Sequence, residues 1–287
     1  MSKPTVFIKI ASLDDSELSH TIENAVESAK YPERLRFGIY LHYSTDVAKQ
    51  ELLDYADRLS LRSSFQLELE TFNKAHLGVG RARYKAESMY DGEDYVLQID
   101  SHSWFCQDWD ELLIGLFINQ TPKTILTGYA PAYISQNGKR EPKGKGFLLP
   151  VYNHKREPVD WILNWHTISP PSTLSFINTK FCANFAFGTS EWGKYSGLNK
   201  DSIFWSEEPL QTRNLLRNGF QMRLPNIDYP LICHLYERDI VGEGGKRSDI
   251  GAYISAEEKE YLINVVDKEV YMSSFTHPQS QSSLPYK

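Results

Sequence analysis

The sequence predicts an α/β protein built on a mainly parallel central sheet. Three observations carry that expectation. Strand-like and helix-like segments alternate over the first 130 residues, the pattern of β-α-β units with right-handed crossovers. The run from Tyr95 to Ile99 is apolar at nearly every position, as a strand covered on both faces must be. The 287 residues are 41% hydrophobic and 24% charged, enough for one large core or a core with an appendage.

Each element follows from local pattern. Thr5 to Ala11 is rich in β-branched and aromatic residues and reads as a first strand, with one lysine inside it. Residues 15–30 place Leu18, Ile22, Ala25, Val26 and Ala29 on one helical face. Leu35 to His42 is a second strand, Val47 to Leu59 a second helix, Phe65 to Phe72 a third strand and Gly80 to Tyr90 a third helix. The strand ending at Asp100 follows, then a helix from Trp109 to Ile118 and a strand from Thr124 to Tyr129. From 130 to 170 the periodicity dissolves among eight prolines and glycines, and the stretch reads as a long loop or flap facing an acceptor. Order returns with a strand from Phe181 to Phe187 and an amphipathic helix starting at Pro209 and closed by Gly219. Short strands at Phe220 to Leu224 and Leu231 to Tyr236 come next, then a helix over 256–267. The tail from Ser273, rich in Ser, Gln and Pro, reads as loose.

Composition excludes several classes. The net charge of −6 gives no global attraction to nucleic acid, although Lys139, Arg140, Lys143 and Lys145 form a local basic patch. Cys106, Cys182 and Cys233 are odd in number, far apart and without a CxxC pair, which argues against a disulfide framework or a zinc knuckle. No run approaches the roughly 20 apolar residues of a membrane span, and the first apolar run is too short for a signal peptide. The expectation is a soluble, cytoplasmic enzyme.

The chemistry begins where the apolar run turns polar, at Asp100-Ser101-His102. Ligands bind beyond the carboxyl ends of strands in parallel sheets. If the strand continued to His102, alternation would put Asp100 and His102 on one face, offering a carboxylate oxygen and an imidazole nitrogen to a divalent cation. Taken alone, those residues are better explained by an N-cap aspartate beside a surface histidine. His234, in a later short strand, supplies a third ligand. Gly78 to Arg83 opens a helix with two glycines and two arginines, which fits either phosphate at a helix N-terminus or an exposed basic helix start, and matches neither a P-loop nor a dinucleotide fingerprint. Glu207 and Glu208, directly before the amphipathic helix and after Phe204-Trp205, serve either as dipole partners or as carboxylates facing a sugar or an acceptor hydroxyl.

In this order the pieces resemble the soluble glycosyltransferases that attach N-acetylglucosamine to hydroxyproline on cytosolic proteins. The likeness runs over roughly residues 5–240. It is carried by Ile8 to Ser12, Gly80 to Arg83, and above all Gly92 to His102 (GEDYVLQIDSH), which Phe105, Trp109 and Asp110 continue. Glu207-Glu208, Gly219-Phe220, Pro225 and His234 to Arg238 complete it. The resemblance implies a GT-A fold, a UDP-linked sugar donor, and Mn2+ (or Mg2+) held by Asp100, His102 and His234. Donor contacts are implied from Ala11, Ser12, Arg81, Arg83, Asp100, Ser101, Trp205 and Arg238, with Glu207 and Glu208 at the reacting centre. Retention of anomeric configuration is implied too, since the similar mucin-type N-acetylgalactosaminyltransferases also use Asp-x-His and a distant histidine. Here Ser206 stands where the family pattern usually has glycine. The division expected is a nucleotide-sugar-binding half over 1–130, an acceptor-side flap over 131–175, an acceptor-binding half over 176–272 and a loose tail over 273–287.

The acceptor expected is a protein hydroxyl. Hydroxymethylated bases of phage DNA are the alternative, with the 139–145 loop and Lys246-Arg247 as phosphate contacts. A nucleotide-sugar-binding protein without catalysis and a metal-dependent hydrolase remain open as other classes; the hydrolase is disfavoured by the lack of a second Asp-rich cluster.

Overall fold

A computed structural model describes residues 3–73, 78–136, 139–152, 165–170, 175–193, 202 and 207–236. The helix expected over 256–267, the loose tail, Trp205, Arg238 and Lys246-Arg247 lie outside the described residues.

The elements run β1 (Val6–Leu13), α1 (Leu18–Glu27), β2 (Leu35–Tyr43), α2 (Asp46–Leu59), β3 (Ser64–Thr71), α3 (Val79–Glu87), β4 (Tyr95–Asp100), β5 (Ser103–Phe105), α4 (Trp109–Phe117) and β6 (Thr124–Thr127). Then come β7 (Tyr133–Gln136), β8 (Lys139–Pro142), β9 (Leu149–Tyr152), β10 (Trp165–Ile168), β11 (Phe176–Asn178), β12 (Phe185–Thr189), α5 (Ser190–Gly193), α6 (Glu207–Arg217), β13 (Gln221–Pro225) and β14 (Ile232–His234). Eight strands form one sheet in the order β11-β13-β6-β12-β4-β1-β2-β3. β4, β1, β2 and β3 pair in parallel, as do β13 and β6, while β12 runs antiparallel to both β4 and β6. The expected mainly parallel α/β sheet is therefore present, with an antiparallel strand at its middle.

Burial on both faces explains why β1, β2 and β4 read as largely apolar runs. On one face Val6, Ile8 and Ile10 of β1, Phe37 and Ile39 of β2, and Leu97 and Ile99 of β4 pack with Ile22 and Val26 of α1, Leu52 of α2, and Trp109 and Leu113 of α4. On the other face Phe7, Val96, Ile125 and Ala186 pack with Trp192 and with Leu215 of α6. Alternation thus sends adjacent residues of β1 into two different cores. Gly38 sits where the Phe7 ring crosses β2, and a Cβ there would lie 2.4 Å from that ring.

Several boundaries differ from expectation, each for a physical reason. β4 ends at Asp100 and residues 101–102 form a bend, so strand alternation does not relate Asp100 to His102. The strand expected from Phe181 begins at Phe185, because the Cys182 and Ala183 N–H groups donate to Thr127 Oγ1 and Glu208 Oε1 rather than to a neighbouring strand. α6 begins at Glu207, so the glutamates are its first turn rather than its approach. Pro209 fits as the third residue because the N–H it lacks has no partner in a first turn anyway. The stretch read as a long loop or flap contains two antiparallel ladders, β7 with β8 and β9 with β10.

Candidate active site

Asp100 ends β4 opposite Ala11 of β1, at the carboxyl edge of the parallel strands. His102 follows in the bend, which α1 fixes from outside the sheet. The Thr21 hydroxyl of α1 lies 2.9 Å from Ser101 O and 3.0 Å from Ser103 O, and the Ser103 N–H donates to it at 2.9 Å. β5 then pairs antiparallel with β14, with His234 opposite Ser103, so a residue 132 positions along the chain arrives beside His102. The His234 N–H donates to Pro131 O, and the Leu235 N–H to His102 O.

The three side chains converge. His234 Nε2 lies 3.0 Å from Asp100 Oδ2 and 2.8 Å from His102 Nε2, and His102 Nε2 lies 3.7 Å from Asp100 Oδ2. One ligand atom from each falls within 4.8 Å of the others. Both imidazoles are buried and Asp100 is partly open. Two ring nitrogens and a carboxylate oxygen at this spacing need a proton or a cation among them. A borderline O/N/N donor set with open sides suits a divalent transition ion. The His234 ring also packs at a tilt against Tyr236, ring centres 4.3 Å apart, and the Tyr236 hydroxyl donates to Ala130 O. Burial raises the Tyr236 phenol above its usual range.

Behind Asp100 lies a buried charge network. Arg83 of α3 hydrogen-bonds Asp100 Oδ1, donates from Nη1 to Ile99 O at 2.6 Å, and reaches Glu207 Oε1 at 3.3 Å from Nε. Gln98 Nε2 donates to the same Glu207 oxygen at 3.3 Å. Burial disfavours the Asp100 carboxylate, but Arg83 and the two histidines outweigh it and hold the carboxyl well below the usual range. For Glu207 burial wins, and its carboxyl is pushed up despite Arg83. Glu208 is held by the Tyr129 hydroxyl, by Lys180 Nζ at 2.9 Å and by the Ala183 N–H at 2.9 Å.

The expected site residues therefore divide. Asp100, His102 and His234 come together. Ala11 and Ser12 lie at the end of β1, where the buried Ser12 hydroxyl has no partner among the described residues. Ser101 turns inward and donates to Asp15 at 2.7 Å. Arg83 faces protein carboxylates rather than an open surface, and Arg81 lies 3.4 Å from Glu70, which also accepts from Tyr40. Sequence reasoning missed Asp15, which accepts from Ser101 and contacts His102. The signal was present: Asp14-Asp15 directly follows β1, at the sheet edge where ligands gather.

A family profile described as Glycosyltransferase (GlcNAc) matches residues 61–241, more than half of the chain. The chain belongs to this glycosyltransferase family. It is an enzyme of the GT-A fold, the architecture of the solved structures it is similar to. One of these is GalNAc-T7 with UDP, GalNAc and Mn2+, at a TM-score of 0.66 and 13% identity, covering 94% of this chain and 50% of that one. Another is the mannosyltransferase PcManGT from Pyrobaculum calidifontis with GDP-Man and Mn2+, at a TM-score of 0.51 and 11% identity, covering 96% and 74%. At these identities the likeness is one of fold, and this glycosyltransferase spans half the length of the first. No curated protein matches the chain. Among the described residues no helix is long and apolar enough to cross a membrane.

Proposed function

We propose that this glycosyltransferase moves a sugar, N-acetylglucosamine or a close relative, from a UDP-linked donor to a hydroxyl of a protein acceptor, with retention at the anomeric carbon. The observation that carries the reading is the convergence of Asp100, His102 and His234 at the carboxyl edge of the sheet. The donor set fits Mn2+, which the GalNAc-T7 and PcManGT structures hold together with a nucleotide or nucleotide sugar. Bound there, the ion would neutralise charge building on the departing diphosphate.

The chain's own residues do the remaining work. Arg83 keeps Asp100 ionised and aimed, Glu207 balances Arg83 from the far side, and Glu208 is tied to Tyr129, Lys180 and the Ala183 N–H, so both glutamates act through the frame of the site. Ser12 offers a buried hydroxyl, without a partner among the described residues, near the end of β1, suited to the nucleoside of the donor. In the transfer, the acceptor oxygen bonds to the anomeric carbon on the face that the phosphate oxygen leaves. The leaving phosphate takes the acceptor's proton.

The test is mass spectrometry of candidate acceptors after reaction with a panel of nucleotide sugars and Mn2+, repeated with Asp100→Ala. The expected result is a sugar-mass increment on a hydroxyl-bearing peptide that requires Mn2+ and disappears in the variant. Donor hydrolysis without transfer, modification of DNA in place of peptide, or full activity in Asp100→Ala would overturn the reading.

A further inference from the structure

We propose that Asp15 is a positioning residue that fixes His102 in the tautomer whose Nε2 lone pair faces Asp100 and His234. The inference rests on the cation-holding role proposed above and adds a residue to it. Asp15 lies in the turn between β1 and α1, and its side chain is only 3% exposed. Each of its oxygens has a fixed neighbour. Oδ1 accepts the Glu17 backbone N–H at 3.0 Å. Oδ2 accepts the Ser101 hydroxyl at 2.7 Å and lies 2.7 Å from His102 Nδ1.

An ionised carboxylate only accepts, so the imidazole must present Nδ1–H to it. In the neutral ring the other nitrogen then carries the lone pair, and that atom is the Nε2 turned toward His234 Nε2 at 2.8 Å. A carboxylate behind a ligating histidine orients the ring and raises its basicity. The turn that carries Asp15 is itself anchored. Arg140 of β8 donates to both Glu17 oxygens, at 2.8 and 3.0 Å, and the Tyr133 hydroxyl of β7 adds 3.2 Å. The β7–β8 hairpin thus braces the turn from outside the sheet.

The Glu17 N–H also decides what an amide at position 15 would do. It requires an acceptor at the Oδ1 position, so in Asp15→Asn the amide oxygen stays there and the NH2 faces His102 Nδ1. That arrangement forces the ring proton onto Nε2 and removes the lone pair. Asp15→Ala leaves the ring free to adopt either tautomer. The two variants therefore rank differently by cation binding and by stability.

The experiment uses the full chain. Calorimetric titration with Mn2+ alone is run on wild type, Asp15→Asn and Asp15→Ala, beside thermal melts. Nitrogen-15 NMR of the His102 ring is recorded without metal, at a pH where the ring is neutral. We expect Nδ1–H in wild type and Nε2–H in Asp15→Asn. Mn2+ affinity should fall roughly 10–100-fold in Asp15→Asn and less in Asp15→Ala, although Asp15→Asn melts higher. If Asp15→Asn binds Mn2+ as tightly as Asp15→Ala or tighter, the inference is overturned while the cation site stands. If wild type itself fails to bind Mn2+, the functional reading fails, and the NMR still judges Asp15: an Nε2–H ring in wild type would overturn it.

Discussion

At the scale of single residues, charge placement distinguishes this site from a surface cluster. Arg83 stands between two carboxylates, bonded to Asp100 and 3.3 Å from Glu207, and its side chain is 4% exposed. Removing one partner of a buried pair costs about 3–5 kcal/mol, because the other charges stay buried without compensation. Arg83→Met should therefore lower stability by about that amount in chemical denaturation. Adding Glu207→Gln should recover part of the loss, since it removes one stranded carboxylate; a loss below ~1 kcal/mol would mean that the network does not hold the site. Lys9 is a second buried charge, fully enclosed in β1 and 3.3 Å from Glu87. Burial, aided by Arg83 and opposed by Glu87, lowers its ammonium pKa to about 8. The folded chain thus releases this proton near pH 8, whereas the unfolded chain holds it to about 10.5. Between those values the unfolded state binds more protons, so stability rises with pH, by about 3 kcal/mol for this one group. Lys9→Met should flatten that rise in denaturation curves at pH 8 and pH 10; an unchanged slope would assign the rise elsewhere.

At the scale of elements, what the sequence made legible depended on how strongly each segment was buried. β1, β2 and β4 were readable to within a residue or two because burial on both faces left them apolar at most positions. β7 to β10 were not, since strands of four residues, two of them holding a proline, carry little periodicity. α3 shows a signal outweighed by a stronger-looking one. Gly80, Arg83 and Ala86 recur every three residues and form its buried face, so spacing alone turns Arg83 inward. The charge suggested phosphate instead. The DxH pair was found for a partly different reason than expected, as a bend clamped by Thr21 unites its members rather than strand alternation. Asp15 went unseen because its partner lies 87 residues away and no local pattern records such a contact. Close element packing also gives a sharp test at Gly38. A methyl there would meet the Phe7 ring at 2.4 Å and Ala86 O at 2.8 Å, so β2 and α3 would have to separate. Gly38→Ala should destabilise by about 1–3 kcal/mol in urea melts; a neutral or stabilising result would show that the sheet and α3 yield more than this packing implies.

At the scale of the whole molecule, the fold is a device for bringing distant segments to one edge. β4 delivers Asp100, the turn after β1 delivers Asp15, α3 and α6 deliver Arg83 and Glu207, and β14 returns His234 to the first half of the chain. None of these pairings is local, and the sheet order places β1 and β4 side by side so that Ala11 faces Asp100. The family match spans β3 through β14, the stretch that supplies Arg83, Asp100, Glu207 and His234 but not Asp15. The central claim is that one divalent cation sits where Asp100, His102 and His234 meet. Anomalous diffraction at the manganese edge, from crystals of the full chain grown with Mn2+ and UDP, tests it most directly. The account predicts a single peak bonded to Asp100 Oδ2 and to both Nε2 atoms; a peak elsewhere, or a site holding UDP with no anomalous signal between these three side chains, would contradict it.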